Sequence, residues 1–491
     1  GCISKPLNPD TLMSIMILGS SSHAGKSTIV AGICRIFSNR GIASAPFKSQ
    51  NMSLNSYVTE LGKEIGIAQA VQAFAARTAP TELMNPILLK PKANGVSQVV
   101  LLGEPYKDVK LKDYYCETDA LLEKAVAAYE ELSALHETVV IEGAGGAAEV
   151  NLYERDIANI LLAKRLRLPI ILVADIERGG VFAQVYGTIS LLPEDVRPLV
   201  KGVIINKFRG DVSLFDEGRK ILEELTGVPV LGVVPYADID IPDEDSLSLG
   251  DKKASDSPIK IAILRYGHIA NFTDFALLER AAAVSYVDLS TDLSGFDCVI
   301  LPGSKNTVAD LEELKAAGAD TRIKEFAASG KPVIGICGGY QMMGETIFDD
   351  AFEGTVSKEY EGLGLLSMRT EFLTDKKITI QKSRTALPHG PILSRMGTVH
   401  GYEIHAGVSD VFGESAFEDE GALAEGGLVF GTYLHGLFDN ASAVDALVSY
   451  LAEVRGLPYE PVAEKGDPYD NLARHLESCL DVDALMKISG L

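Results

Sequence analysis

Ser14-Ile15-Met16-Ile17-Leu18-Gly19-Ser20-Ser21-Ser22-His23-Ala24-Gly25-Lys26-Ser27-Thr28 decides the architecture of the first half of the chain. The apolar run Ser14–Leu18 predicts a strand, the small residues after it a tight loop, and Ile29–Phe37 a helix. Small residues let backbone N–H groups close around phosphates, and the following helix N-terminus adds a positive dipole. Lys26 then reaches the terminal phosphates, and the Ser27 hydroxyl can ligate Mg²⁺. The stretch is a P-loop, with Gly25, Lys26, Ser27 and Thr28 as predicted nucleotide-binding residues. The usual spacing has four residues between the glycines, whereas Gly19 and Gly25 enclose five.

Outward from this loop, short apolar runs recur between longer amphipathic stretches: Thr138–Ile141, Ile170–Val173, Val203–Ile205, Ile259–Leu264, Cys298–Leu301 and Val333–Ile336. Strands alternating with helical patterns predict an α/β protein with doubly wound parallel sheets. Ala237–Ser257, rich in acids and serines and without periodicity, reads as a linker. It divides the chain into residues 1–250 and 258–491, the latter carrying a C-terminal helical tail around Asp470–Leu480. At the end of the second run, Glu142 of Val139-Val140-Ile141-Glu142-Gly143-Ala144-Gly145-Gly146 is a candidate Mg²⁺ ligand, since ligands of open α/β sheets gather at the C-terminal strand edge. Asn206-Lys207-Phe208-Arg209 resembles the Asn-Lys element that several P-loop proteins use near the nucleotide base, which makes Asn206 a further nucleotide-binding candidate.

Composition bounds the function. A chain of 491 residues, 46% hydrophobic and 23% charged, is long enough for two or three domains and is ordinary globular composition. Its 68 acidic against 45 basic side chains give −23, a field that repels polyanions and excludes a broad nucleic-acid surface. Six scattered cysteines without a C-x-x-C pair suggest neither a disulfide framework nor a zinc module, and a reducing cytoplasm is expected. No apolar run approaches the roughly 18–20 residues that span a bilayer, so no membrane partner is expected.

In the second half, Val333-Ile334-Gly335-Ile336-Cys337-Gly338-Gly339-Tyr340-Gln341 places a cysteine between glycines at a strand end. That is the layout of a nucleophile elbow, in which the next helix N-terminus favours the thiolate and supplies N–H donors to an oxyanion. Cys337 is the predicted nucleophile. His435, in Gly431-Thr432-Tyr433-Leu434-His435-Gly436, is the predicted general base, with His400 and His405 as competitors that spacing does not eliminate. Gly338 and Gly303, the latter in Leu301-Pro302-Gly303-Ser304, are the predicted oxyanion donors.

These residues carry a resemblance. The Pro302–Ser304 turn, the Gly335–Gln341 elbow and the histidine at 435 resemble a triad-type glutamine amidotransferase domain. The first half is similar to the dethiobiotin-synthetase branch of P-loop proteins, through its loop spacing and its Glu142-Gly143-Ala144-Gly145-Gly146 strand end. The combination resembles the cobyric acid synthase and cobyrinate diamide synthase family, most closely its cobyric acid synthase branch. The finer match lies in Pro46-Phe47-Lys48-Ser49-Gln50-Asn51-Met52-Ser53, Met84–Pro91, Ala174–Phe182, Asn206–Asp211, Asn271-Phe272-Thr273-Asp274-Phe275 and Gly401-Tyr402-Glu403-Ile404-His405. Two departures stand out. The acid that often follows the histidine by two positions is Leu437 here, leaving Glu403 as one candidate third member. His23 also occupies a loop position where the family commonly has Asp.

The resemblance implies an N-terminal amide synthase domain using ATP and Mg²⁺, the metal held by Ser27 and Glu142, and a C-terminal domain releasing ammonia from glutamine through a Cys337 thioester. The acceptor would be a corrinoid, adenosylcobyrinic acid a,c-diamide, activated as an acyl phosphate and amidated at its b, d, e and g carboxylates. Lys48, Lys90 and Arg178 are the cations expected to contact carboxylate or phosphate. Ammonia transfer predicts a sheltered path between the domains. Two alternatives are the sister synthase acting on the a and c carboxylates, and a P-loop nucleotide switch with an inactive amidotransferase domain. The sequence leaves the oligomeric state open.

Overall fold

The computed structural model describes residues 13–92, 95–110, 114–237, 256–354, 356–372, 378–462 and 467–491. They form two compact units, one from within 1–53, 63–241 and 467–491, the other from within 54–62 and 242–466. Of the expected linker, residues 238–255 lie outside the described residues.

The first unit is built on a parallel sheet of β1 (Ser14–Gly19), β2 (Ser44–Phe47), β3 (Thr138–Glu142), β4 (Ile170–Asp175), β5 (Val200–Phe208) and β6 (Val230–Pro235). Their order is β6-β5-β4-β1-β3-β2, with Met16 opposite Ile170 and Ser14 opposite Val139. Every residue of β1, β3 and β4 is buried, as continuous apolar runs require when helices cover both faces. Helix α1 (Lys26–Asn39) begins directly after Gly25, whose φ of 94° is open to glycine and strained for other residues. The order brings the C-terminal ends of β1, β3, β4 and β5 to one edge, with β1 at the reversal of winding.

The tail departs from expectation. Residues 467–491 pack on the first unit, not on the second half that precedes them in sequence. The cause lies in α1, which is apolar on its outer side as well as toward the sheet. Gly32 lets the helix Pro468–Glu477 approach so closely that a β-carbon there would lie 2.2 Å from Leu476. Buried Arg35 pairs with Asp467 at 2.6 Å, and the Asp481 N–H donates to Leu231 O on β6.

The second unit carries β7 (Lys260–Arg265), β8 (Ala283–Asp288), β9 (Cys298–Leu301), β10 (Val333–Ile336), β11 (Ala422–Leu423) and β12 (Val429–Thr432), ordered β8-β7-β9-β10-β12-β11. All pairs are parallel except β11 with β12. An antiparallel hairpin, Ile378–Thr385 with Thr398–His405, sets Gln381 opposite Tyr402. Smaller sheets with antiparallel pairs in both units were not expected, among them a mixed sheet in which Gln50–Met52 runs parallel to Ile87–Pro91 while Val96–Leu101 and Glu104–Lys110 add antiparallel strands. Gln50–Met52 is only three residues long and Glu104–Lys110 is largely exposed and polar, so neither carries the apolar run that marked the parallel strands. Among the described residues no helix is long and apolar enough to cross a membrane.

Candidate active site

In the first unit the predicted phosphate site converges. The Lys26 ammonium folds over the loop, donating to Gly145 O at 2.8 Å and to Ser21 O at 3.3 Å. Ser27 Oγ donates to Glu142 Oε1 at 2.8 Å, and buried Lys48 donates to the same oxygen at 3.0 Å. Gln72 Nε2 donates to the other carboxylate oxygen. Burial by itself would raise the Glu142 pKa, but Lys48, then Gln72 and Ser27, hold it below the ordinary carboxylate value. An ionised carboxylate beside a hydroxyl is a hard oxygen pair that fits Mg²⁺, with phosphate and water oxygens completing the shell. Among the described residues no group of three or more His, Cys, Asp or Glu side chains could hold a metal ion, so bound phosphates would have to supply ligands.

The other cations expected to contact carboxylate or phosphate lie in three different settings. Lys48, expected to face substrate or phosphate, is paired with Glu142. Lys90 is buried on the Ile87–Pro91 strand of the mixed sheet and paired with Glu64. Arg178 is exposed in the turn after β4. Asn206, at the end of β5, donates to Ala24 O at 2.9 Å and so braces the phosphate loop. Thr28 is exposed in the first turn of α1, and the Lys207 ammonium reaches His23 O at 2.7 Å.

In the second unit β10 ends at Ile336 and Cys337 adopts φ 49°, ψ −109°, a left-handed conformation that a non-glycine residue enters only under strain. The helix Gly338–Met342 starts at once, placing the thiol at its N-terminus. Gly339 permits the turn: a β-carbon there would lie 2.0 Å from Leu301 O at the end of β9. The Cys337 sulfur lies 3.7 Å from Ile404 O.

His435, 2% exposed, follows β12 and meets Cys337 side chain to side chain. Its Nδ1 donates to Asp274 Oδ2 at 2.7 Å, and the Gly436 N–H donates to the other oxygen of the same carboxylate. With Nδ1 engaged, Nε2 is the nitrogen left for the thiol. Burial disfavours an imidazolium, but the charges of Asp274 and Cys337 outweigh it and raise the His435 pKa to about 10. Tyr402 stacks on the ring, centroids 5.4 Å apart and planes 20° off parallel.

The structure therefore separates the three candidate histidines. His400 bonds Ser383 in the hairpin, and His405 stacks on Tyr433 with Nδ1 against Gly407 O. Glu403, the candidate third member, is bound by Arg384 and faces His405, so Asp274 takes that place. In sequence, the Asn271–Phe275 stretch carries a family resemblance and no sign of a catalytic acid. An acid 161 residues before the histidine gives no local signal. Gly338 abuts the Ser304 turn, and Gly303 lies against the His435 ring. Because the Lys305 N–H donates to His268 O, the antiparallel alternation puts Gly303 at a hydrogen-bonded position opposite Ala270. Its N–H is thus turned toward Ala270 and not, as expected, toward an oxyanion.

Comparison with known proteins matches both halves. The family model described as the CobQ/CobB/MinD/ParA nucleotide binding domain matches residues 15–247, and that of the CobB/CobQ-like glutamine amidotransferase domain matches residues 260–443. The probable cobyric acid synthase of Methanosphaerula palustris is 61% identical, covering 97% of this chain and 98% of its own. Those of Methanoculleus marisnigri and Methanosarcina mazei are 59% and 53% identical, covering 97% of this chain and 98% and 99% of their own. A nucleotide-binding domain and an amidotransferase domain on one chain, similar to such relatives over almost their whole length, mean that the chain belongs to the cobyric acid synthase family of amidotransferases.

Proposed function

We propose that the chain converts the b, d, e and g carboxylates of adenosylcobyrinic acid a,c-diamide to amides, consuming ATP and glutamine and yielding adenosylcobyric acid. The observation that carries this reading is the Cys337–His435–Asp274 constellation on one chain with the Lys26–Ser27–Glu142 phosphate site. A carboxylate resists nucleophilic attack because of its charge and resonance, so it is first joined to the ATP γ-phosphoryl group as an acyl phosphate, releasing ADP. Lys26 neutralises charge on the terminal phosphates in this step. Mg²⁺, held by Ser27 and Glu142, supplies further charge neutralisation when bound.

Nitrogen comes from glutamine. With the thiol proton already resting on His435 Nε2, the Cys337 sulfur attacks the side-chain amide, and the imidazolium passes that proton to the leaving nitrogen, which departs as NH₃. Asp274 keeps the imidazole in the required tautomer and stabilises its protonated form. The Gly338 N–H holds the developing oxyanion. Gly303 joins it only by exchanging Ala270 for the substrate oxygen. Water then cleaves the glutamyl thioester to glutamate, and NH₃ displaces phosphate from the acyl phosphate to leave the amide.

The test is incubation with ATP, Mg²⁺, glutamine and a panel of corrinoid acids, read by mass. Successive replacement of OH by NH₂ on the a,c-diamide supports the reading. Amidation confined to the unamidated acid points to the sister reaction, and nucleotide binding without amidation to a switch.

A further inference from the structure

Ser56 lies on a short segment, 54–62, that the second unit takes from the first half of the chain. Its neighbours in sequence on either side, up to residue 53 and from residue 63, belong to the first unit. Ser56 is fully buried, and both of its backbone polar groups are held by side chains of the second unit. Its N–H donates to Asn271 Oδ1 at 3.0 Å, and its carbonyl accepts from Tyr402 Oη at 2.8 Å.

These two side chains flank His435. Asn271, at φ 52°, opens the turn that presents Asp274 to His435 Nδ1. Tyr402 exchanges both backbone hydrogen bonds with His435, at 2.8 and 3.1 Å, and stacks on its ring. One buried residue therefore ties together the acid that sets the tautomer and the ring that sets the imidazole plane. The segment is held on its other side as well. Gln381, opposite Tyr402 in the hairpin, donates to Tyr57 Oη at 3.0 Å and to Val58 O at 2.9 Å, while Tyr57 packs edge-on against Tyr402.

We propose that segment 54–62 is a positioning element for His435, acting through the clamp of Ser56 on Asn271 and Tyr402. Glutamine hydrolysis by the second half then depends on residues supplied by the first half. This rests on the reading of His435 as the base of glutamine hydrolysis. General-base transfer tolerates little misplacement, a shift of about 1 Å costing as much as about 10²-fold. Each lost bond also leaves a buried polar group of this strap, segment 54–62, without its partner.

The test uses the full-length protein and two variants. Tyr402→Phe keeps the stacked ring and removes the donor to Ser56. Asn271→Gly keeps the left-handed backbone and removes the acceptor. For both, glutamate release is expected to fall about tenfold in kcat with KM for glutamine little changed. Amidation driven by supplied ammonia should hold at the parent rate. In Asn271→Gly the His435 limb of the pH–rate profile should move down, as the grip of Asp274 loosens. Parent-like kcat in both variants, or a parallel loss of ammonia-driven amidation, overturns the proposal. Cys337→Ser in the same assay separates the two levels. If it still hydrolyses glutamine, the reading of the site itself fails. If it loses hydrolysis while Tyr402→Phe and Asn271→Gly keep the parent kcat, the strap alone is refuted.

Discussion

Asp274 Oδ2 and His435 Nδ1 lie 2.7 Å apart although 161 residues separate them in the chain. Both groups are buried, and the carboxylate spans the histidine ring and the Gly436 N–H, so ring orientation and backbone are fixed by one side chain.

Asp274→Asn should therefore be severe for one nitrogen source only. An amide of the same shape can offer an N–H to Nδ1, which favours the tautomer unable to accept the thiol proton. Glutamine-driven amidation is expected to fall about 10³-fold, with ammonia-driven amidation retained. Parallel assays with glutamine and with ammonium salt at raised pH check this.

Lys26→Ala and Cys337→Ser should behave as complements. Lys26 serves phosphoryl transfer, so its loss should lower amidation about 10²-fold or more with either nitrogen source. Cys337→Ser should abolish glutamine use alone. If Lys26→Ala spares ammonia-driven amidation, activation does not occur at the phosphate loop.

The raised pKa of His435 links stability to pH. Because its folded value of about 10 lies above the ordinary 6.5, the stabilisation it confers is complete below about 6.5 and is lost as pH rises through about 10. The stability gap between the parent and His435→Gln should accordingly narrow across that window. Urea midpoints measured at several pH values report it, and a gap that widens with pH contradicts the assignment.

Leu476 is 1% exposed and packs against α1 at Gly32. Leu476→Ala should destabilise the protein by about 3 kcal/mol through lost transfer energy and the cavity left behind. Chemical denaturation checks the size. A loss well under about 1 kcal/mol would mean the tail docks only loosely.

The P-loop, the cysteine elbow and seven of the parallel strands, β1, β3, β4, β5, β7, β9 and β10, were legible because each is a local code. A strand end, small residues and a helix start occur within about ten residues, and burial on both sheet faces makes a strand a continuous apolar run. Much of the rest depended on partners far apart in sequence. The elbow showed where a nucleophile sits, but nothing near His435 named its acid. A carboxylate is recruited by whatever loop the sheet order brings to the strand ends, here Asn271–Phe275 beside β12. Lys48 and Lys90 were expected to contact substrate carboxylate or phosphate, because an ion pair within the chain is invisible until Glu142 and Glu64 are folded against them.

The amino-acid order by itself thus determined the two chemistries and the α/β class, since both are written in contiguous residues whose backbone preferences act locally. Packing alone decided that residues 467–491 cover α1, that residues 54–62 lie in the second unit, and that Asp274 holds His435. Such contacts arise between segments that approach only when apolar surface is buried and every enclosed polar group must find a partner.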